Sequence, residues 1–541
     1  MELKILSISL YQSNPIVGDF SYNSTLILEA AKNAYSLKQD ILVTPELSIT
    51  GYPPEDLLFR KAFIDASENA LRELTKELAK YKDLYVVVGH PLLTVEGLKN
   101  CVSILQNGKV VFVYEKQILP NKDVFDEVRY FVPGKDSSTY KIKNVSIAFL
   151  ICEDIWAPEP TLKAKALGAE LIISINASPY FANKQLTRQE IVKDRVASVG
   201  VPVIYLNAIG GQDELVFDGN SFAINKSGDL ALSLPQFECF QSEVLFKGSD
   251  IETSNISQEL SEEAQIYNAL VLGTRDYIYK NNFTGVIIGL SGGIDSALVL
   301  AIAVDALGRD KVRVIMMPST FTSEISLLDA ELLAKNFNVS YDVIPIKESV
   351  KTIESTLKNE LRKAPEGVAE ENIQARIRGL FLMTISNKSD WLVLTTGNKS
   401  EMAVGYCTMY GDMAGGFAVI KDINKSMVYR LCRYRNQKNE IIPERVIQRP
   451  PSAELRPDQK DQDSLPPYDI LDSILHKFME LDESVENIIE DGFNAADVKK
   501  IAKLIMKNEY KRRQSPIGIK ITAKAFGRDW RYPITSRFNN Y

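Results

Sequence analysis

Residues 286–298 (Val-Ile-Ile-Gly-Leu-Ser-Gly-Gly-Ile-Asp-Ser-Ala-Leu) constrain the fold of this chain more than any other stretch. An apolar run ends in a glycine-rich turn, and a helical pattern follows directly, which predicts a strand, a tight loop and a helix. Backbone N–H groups and a helix N-terminus would then form an anion site. This is not a Walker A loop, because no Gly-Lys-Ser/Thr follows at the required spacing. The loop holds a carboxylate, Asp295, and no basic residue, which indicates a magnesium ion beside a phosphate. A plain strand-to-helix turn is the alternative.

The composition favours a soluble globular protein of several domains. With 541 residues the chain is too long for one ordinary core, and 45% apolar with 25% charged residues is typical of globular proteins. The net charge of −7 gives no reason to expect a nucleic-acid partner. No apolar run reaches membrane-spanning length, and no signal-peptide pattern is present. We therefore expect a cytoplasmic protein that binds neither nucleic acid nor membrane.

Cysteine and histidine usage narrows the chemistry. The five cysteines are scattered and odd in number, which predicts free thiols. The two histidines give little support for a Cys/His zinc site or a Ser-His-Asp triad. Any hydrolytic step must therefore use another base.

The N-terminal half mixes strand and helix patterns with hairpins, which predicts a layered α/β sandwich. A hairpin is predicted around Asn107-Gly108, a type I′ turn pair. The expected strands lie at residues 4–11, 40–47, 84–88, 101–115 (the hairpin), 145–151, 171–175, 203–207 and 221–232, and the expected helices at 23–38 and 66–81.

Three reactive residues follow expected strands: Glu46, Lys116 and Cys152. Side chains at strand ends can meet at a common rim. A thiol of pKa about 8.5 needs a base to become a nucleophile, which a glutamate can supply, and a lysine can stabilise an oxyanion. Taken singly, each residue is more simply a capped strand end, a surface lysine or a buried cysteine.

The strings around these residues carry a resemblance. Residues 45–52 (PELSITGY), 114–121 (YEKQILPN) and 151–156 (ICEDIW) together resemble the nitrilase superfamily, over residues 1–245. The resemblance implies an α-β-β-α sandwich that hydrolyses C–N bonds through a thioester. It implies Glu46 as general base, Lys116 as oxyanion support and Cys152 as nucleophile, with Glu127 as an additional acid.

The segment from Asn176 to Lys184 resembles the glutamine-binding segment of the glutaminase branch of that superfamily. The resemblance implies that Ser178 and Lys184 help to hold glutamine. Lys122 stands where many relatives carry a tyrosine that contacts glutamine, so we include it among the expected glutamine-binding residues.

A polar stretch at 246–262 is the expected linker, and residues 263–541 the expected second domain. Strand and helix patterns alternate there: helix 260–280, the loop and a helix to 307, strand 312–317, helix 323–337, strand 339–346 and a further helix. This order predicts a Rossmann-like, doubly wound parallel sheet. Its ligands would lie at the carboxyl ends of the strands, where the Ser291 loop and residues 317–319 are found.

The strings at 371–378 (ENIQARIR), 394–401 (LTTGNKSE), 411–417 (GDMAGGF), 421–425 (KDINK) and 508–514 (NEYKRRQ) resemble the NAD synthetase family in its long, glutaminase-bearing form. The loop itself resembles that of the N-type ATP pyrophosphatases. These resemblances imply magnesium at Asp295 and Glu401, deamido-NAD at Asn372, Glu401 and Lys511, and a further ATP contact at Ser452. The implied ATP-binding residues are Gly289, Leu290, Ser291, Gly292, Gly293, Ile294, Asp295, Ser296 and Thr396.

The resemblance implies a glutamine-dependent ligase that adenylates deamido-NAD with ATP and then amidates it. Its partners would be small molecules, and the family also implies a homo-oligomer. Two alternatives remain: an ATP-pyrophosphatase amidotransferase that aminates another substrate such as a purine nucleotide, and a regulatory protein without turnover. Phe321 stands where relatives often have tyrosine, which removes one possible hydrogen bond.

Overall fold

The computed structural model describes residues 4–363, 365, 367–457, 459, 461–463 and 465–538. The chain divides into two compact units. The first holds residues up to Gln212 together with Val216–Ser261, and the second holds Asp213–Leu215 together with the residues from Glu262 onward. No helix in these described ranges is both long and apolar enough to cross a bilayer.

The elements up to residue 251 form two large sheets, flanked by helices, and a separate two-stranded sheet. The strands are β1 Ile5–Gln12, β2 Ile41–Val43, β3 Tyr85–Thr94, β4 Gly97–Gln106, β5 Lys109–Glu115, β6 Thr139–Ile142, β7 Val145–Ile151, β8 Leu171–Asn176, β9 Val203–Asn207, β10 Ile209–Gln212, β11 Leu215–Asp218, β12 Phe222–Ile224, β13 Leu230–Ser233, β14 Phe240–Lys247 and β15 Asp250–Ile251. The helices are α1 Phe20–Ser36, α2 Lys61–Leu78, α3 Glu153–Trp156, α4 Pro158–Ala166 and α5 Lys184–Val199, with 3-10 turns at Glu55–Phe59 and Glu127–Arg129.

These strands pair as a sandwich. One sheet has the order β15-β14-β1-β2-β3-β4-β5 and the other β13-β12-β9-β8-β7-β6, and β10 pairs with β11 separately from both. Alternate residues of β3 point to opposite faces: Val86 and Val88 pack against α1 and α2, whereas Val87 packs into the core between the sheets. The predicted α-β-β-α sandwich is confirmed.

The strand expected at 40–47 is shorter than the sequence pattern indicated. It covers Ile41–Val43 only, because Pro45 has no N–H to donate and Leu47 adopts a positive φ of 48°. Glu46 therefore lies in the turn that follows β2 rather than in a strand.

The second unit is built on a five-stranded parallel sheet. Its strands are β16 Val286–Gly289, β17 Val312–Met316, β18 Ser340–Val343, β19 Leu392–Thr395 and β20 Phe417–Ala418. Its helices are α6 Glu262–Lys280, α7 Ile294–Leu307, α8 Glu324–Phe337, α9 Lys347–Thr356, α10 Lys358–Leu361, α11 Val368–Ser389, α12 Lys399–Val404, α13 Lys425–Asn436, α14 Glu444–Gln448, α15 Tyr468–Leu475, α16 Val485–Glu490, α17 Ala495–Lys507 and α18 Glu509–Arg512, with 3-10 turns at Arg309–Lys311 and Asp461–Asp463 and a π-helical turn at His476–Glu480.

The order β18-β17-β16-β19-β20 makes this sheet doubly wound, as predicted. The chain moves outward from β16 to β18 and then returns to the other side of β16, so the direction reverses beside β16. Ile287, Ile315 and Val393 pack against α11 on one face, and the alternate residues are equally buried. The loop after β16 therefore opens at the switch point where such sheets bind ligands.

Candidate active sites

Two different sheets bring Glu46, Lys116 and Cys152 together in the first unit. Glu46 lies in the turn after β2, Lys116 directly follows β5, and Cys152 directly follows β7. All three side chains are almost completely inaccessible to solvent. Strand ends of both sheets thus supply one buried cluster of a carboxylate, an ammonium and a thiol.

Lys116 is held between two carboxylates. Its Nζ donates to Glu46 Oε1 at 2.7 Å and to Glu127 Oε1 at 2.9 Å. Tyr52 Oη donates to the same Glu127 oxygen at 2.9 Å. Burial alone would lower the pKa of Lys116, but Glu127 and Glu46 raise it well above the ordinary lysine value. The ammonium therefore keeps its proton and its charge.

Further hydrogen bonds orient Glu46. Asn100 Nδ2 donates to Oε1 at 2.8 Å, and the backbone N–H of Ala177 donates to Oε2 at 3.0 Å. Sequence reasoning missed both donors, because they come from β4 and from the segment after β8, far from Glu46 along the chain. The second carboxylate, Glu127, has its pKa raised to about 7 by burial, with Lys116 opposing the shift.

Cys152 sits in a tight turn with φ of 47°, between β7 and the short helix α3. A positive φ is uncommon for a residue other than glycine and often marks a functional site. Burial raises the pKa of the Cys152 thiol well above its usual value, and Glu46 adds to this while Lys116 opposes it. The resting group is therefore a thiol, which needs a base when it attacks.

The expected glutamine-binding residues differ in their surroundings. The Ser178 backbone N–H donates to Asn207 Oδ1, and its Oγ accepts from Arg188 Nε. Lys184 Nζ lies 4.5 Å from the ring centroids of both Trp156 and Phe181.

Lys184 is largely buried, whereas Lys122 is exposed to solvent. Burial lowers the pKa of Lys184 to about 8, and Cys152, among other groups, opposes this shift. The side chain of Lys122 is 63% exposed, and its Nζ lies 3.3 Å from Glu153 Oε1. Lys122 is thus a rim residue paired with the neighbour of Cys152.

In the second unit, the loop between β16 and α7 is shaped by close backbone contacts. Gly292 has φ of +80°, and a Cβ there would lie 2.5 Å from the carbonyl oxygen of Ser326, so only glycine fits. Ser296 Oγ donates to the carbonyl of Gly293 at 2.9 Å. The turn is therefore tightly specified, and helix α7 begins at Ile294.

This loop lines a cavity of about 530 Å³. The same cavity is lined by the other residues expected to bind ATP, deamido-NAD or magnesium, namely Thr396, Asn372, Glu401, Lys511 and Ser452. Asn372 Oδ1 accepts from Thr408 Oγ1 at 2.7 Å. Lys511 Nζ donates to the carbonyls of Gly405 and Cys407 at 2.8 and 2.9 Å. The structure thus gathers residues up to 222 positions apart into one space.

Asp295 and Glu401 converge on one cation, the ammonium of Lys425, at 2.5 and 3.2 Å. Asn398 Nδ2 holds Asp295 Oδ1 at 2.9 Å. Magnesium commonly takes one or two protein carboxylates and completes its shell with water and substrate phosphates. The two carboxylates together carry one more negative charge than Lys425 balances, so their net charge suits such an ion. In the described part of the chain no three His, Cys, Asp or Glu residues form a metal cluster.

The partner of these two carboxylates was missed by sequence reasoning. Lys425 lies in one of the strings quoted above, but nothing local to that string predicts an ion pair with a residue 130 positions away. Its place at the N-terminal end of α13 became visible only in the fold.

Comparisons with known proteins identify relatives of both parts of the chain. Residues 7–240 match the carbon-nitrogen hydrolase family and residues 266–515 match the NAD synthase family. The chain is similar to the glutamine-dependent NAD(+) synthetases of Acinetobacter baylyi (46% identity over 99% of each chain) and Aquifex aeolicus (44% identity over 99% of this chain and 100% of the relative).

Two solved structures are similar over the whole length. The glutamine-dependent NAD+ synthetase of Acinetobacter baumannii, in complex with adenosine diphosphate, has 40% identity and a TM-score of 0.80, with 98% of each chain covered. That of Cytophaga hutchinsonii has a TM-score of 0.83 at 23% identity, with 99% of this chain and 98% of that chain covered, which shows the shared fold.

Proposed function

The chain belongs to the glutamine-dependent NAD(+) synthetase family, and on that premise we propose how its two sites divide the reaction. The first unit releases ammonia from glutamine. The second unit uses ATP to adenylate the nicotinate carboxylate of deamido-NAD, and ammonia converts that adenylate to NAD. The products are NAD, AMP, pyrophosphate and glutamate.

In the first unit, Cys152 is the nucleophile and Glu46 the base. Glu46 accepts the thiol proton as Sγ attacks the amide carbon of glutamine, and it returns the proton to the departing ammonia. The ammonium of Lys116 stabilises the oxyanion of each tetrahedral intermediate. Water then hydrolyses the thioester, with Glu46 again acting as base. Ser178, Lys184 and Lys122 are the residues we assign to glutamine binding.

In the second unit, the backbone of Gly289–Ser296 and the hydroxyl of Thr396 bind ATP. Asn372, Glu401 and Lys511 orient deamido-NAD so that its carboxylate faces the α-phosphorus, and pyrophosphate leaves as the P–O bond forms. Asp295 and Glu401 are the residues that would hold magnesium, which neutralises charge on the phosphates when it is bound. The loop lacks the lysine of a Walker A motif, which agrees with release of pyrophosphate rather than γ-phosphoryl transfer.

One observation supports this division most strongly. A buried Glu46–Lys116 pair beside Cys152 occurs in the same chain as a cavity that gathers the nucleotide loop, Asp295 and Glu401. Neither arrangement alone requires the other, but a ligase that makes its own ammonia requires both.

The test uses the purified full-length protein with ATP, magnesium, deamido-NAD and either glutamine or ammonium. We expect NAD and pyrophosphate in equal amounts with both nitrogen donors. Pyrophosphate release without NAD would indicate a different acceptor. No turnover with either donor would show that the proposed function is wrong. Sedimentation of the same preparation tests the homo-oligomer that the family membership supports.

A further inference from the structure

Four cations line the cavity of the second unit: Arg378, Lys425, Arg449 and Lys511. Two of them have carboxylate partners. Lys425 lies between Asp295 and Glu401, and Arg449 Nη2 donates to Glu454 Oε1 at 2.6 Å. Their positive charges are therefore already balanced by protein carboxylates.

The other two cations lack a carboxylate partner within ion-pair distance in the described part of the chain. Lys511 Nζ donates hydrogen bonds to the carbonyls of Gly405 and Cys407. Arg378 donates from Nε to the carbonyl of Met317 at 3.0 Å. Among the described residues, Nη1 and Nη2 of Arg378 find no hydrogen-bond acceptor. Burial lowers the pKa of Arg378. The negative charges of Glu454 and Asp412 oppose this shift, but neither carboxylate is hydrogen-bonded to Arg378. The two terminal nitrogens are not completely buried, so an anion in the cavity can reach them.

The position of Arg378 places it beside the nucleotide loop. Arg378 and Leu382 are four residues apart on α11, so they share one face of the helix. A Cβ on Gly289, where the loop begins, would lie 3.3 Å from Leu382 Cδ1 and 3.4 Å from Met317 Cε. The bond from Nε to the Met317 carbonyl then fixes the guanidinium at the carboxyl end of β17. This strand lies next to β16 in the sheet.

We propose that Arg378 binds the β- and γ-phosphates of ATP and stabilises them as they leave as pyrophosphate. This assignment rests on the proposed function, in which pyrophosphate is the leaving group. The loop at Gly289–Ser296 has no basic residue to neutralise it, and Arg378 would supply that positive charge. Two adjacent N–H donors of a guanidinium match two phosphate oxygens in one plane. The pyrophosphate gains charge as its bond to the α-phosphorus breaks, so a fixed cation there favours the transition state.

The test compares nucleotide affinities of the full-length protein with magnesium and without deamido-NAD. In Arg378→Gln, we expect ATP to bind about 10- to 100-fold more weakly, the range of one charge-assisted, two-point contact, while AMP affinity changes less than about twofold. Arg378→Lys keeps the charge but not the two adjacent N–H donors. Its ATP affinity should therefore lie between that of the unmodified protein and that of Arg378→Gln. Arg376→Gln removes the same charge from an exposed position on the same helix, and its ATP affinity should equal that of the unmodified protein.

The outcomes separate this assignment from the proposed function. ATP affinity that is unchanged in Arg378→Gln, or AMP affinity that falls as much as ATP affinity, overturns the role of Arg378 even when the unmodified protein makes NAD. Failure of the unmodified protein to make NAD overturns the proposed function itself. Thermal unfolding of each variant without nucleotide shows whether the hydrogen bond from Arg378 to the Met317 carbonyl stabilises the fold. If it does, the ATP affinity of Arg378→Lys decides whether the positive charge restores ATP binding.

Discussion

The Cys152 site and the loop-lined cavity differ in how their charges are satisfied before a substrate arrives. Lys116 is buried between Glu46 and Glu127, and each charge there has a protein partner. In the cavity, the terminal nitrogens of Arg378 find no acceptor among the residues that the structure describes, and Asp295 and Glu401 remain partly open to solvent. The cluster of Glu46, Lys116 and Glu127 is complete by itself, whereas the cavity is arranged to be completed by its ligands.

The substrates explain this difference. The amide of glutamine is neutral, so the protein must supply the base and the oxyanion partner in fixed positions. ATP brings several negative charges and its own magnesium, so a cavity whose cations were all neutralised by carboxylates would bind it poorly. A closed site and a charge-incomplete site in one chain therefore reflect the chemistry of the two substrates.

The largest expected effect comes from a substitution in the Cys152 site. Cys152→Ala should reduce glutamine-dependent NAD formation on the order of 10³-fold or more, because the proposed thioester forms on the Cys152 sulfur. Ammonia-dependent formation should stay within about twofold, since the cavity does not use the thiol. The matched control is Cys239→Ala, an exposed cysteine of the same unit, which should leave both rates unchanged. Equal loss of both rates in Cys152→Ala would contradict the division into two sites.

Asp295→Asn should affect both nitrogen donors alike. We expect a decrease of about 100-fold in NAD formation, because removal of one carboxylate weakens magnesium binding and leaves Lys425 with Glu401 alone. The rates with glutamine and with ammonium are measured in the same preparation. Asp310→Asn, at a highly exposed position of the same unit, is the control. An effect confined to the glutamine-dependent rate would show that Asp295 does not serve adenylation.

The smallest effect is a dependence of glutamine affinity on pH. Burial lowers the pKa of Lys184 to about 8, so its ammonium is mostly present at pH 7 and mostly lost at pH 9. If the charged form binds glutamine, KM for glutamine should rise up to about tenfold over this range, while kcat changes less. In Lys184→Arg the cation persists, so KM should stay nearly flat. The same rise of KM in that variant would assign it to another group.

The sequence indicated much of the first site because its signals are local. Glu46, Lys116 and Cys152 each lie in a short string at or just after the end of a strand. The strand pattern allowed them to meet at one rim, and the family resemblance of the strings favoured it. Asn100 and the N–H of Ala177, which orient Glu46, carried no such signal. An asparagine in a strand becomes a donor to a particular carboxylate only when two strands pair in a fixed register.

The second site shows the same limit more clearly. The Ser291 loop was visible in the sequence, because glycine and small residues record the backbone conformation that the turn needs. The charge balance around it was not. Lys425 meets Asp295 across 130 residues. Arg378 differs from the other cations of the cavity because, within the described ranges, its terminal nitrogens make no hydrogen bond.

By itself, the sequence predicted the two kinds of architecture and the strand-loop-helix turn, because periodicity and turn chemistry act over a few neighbouring residues, while the resemblance of short strings pointed to the three reactive residues. The tertiary structure decided which charges are neutralised and which await a ligand. Electrostatic interactions depend on distance in space and on burial, and the order of residues along the chain specifies neither.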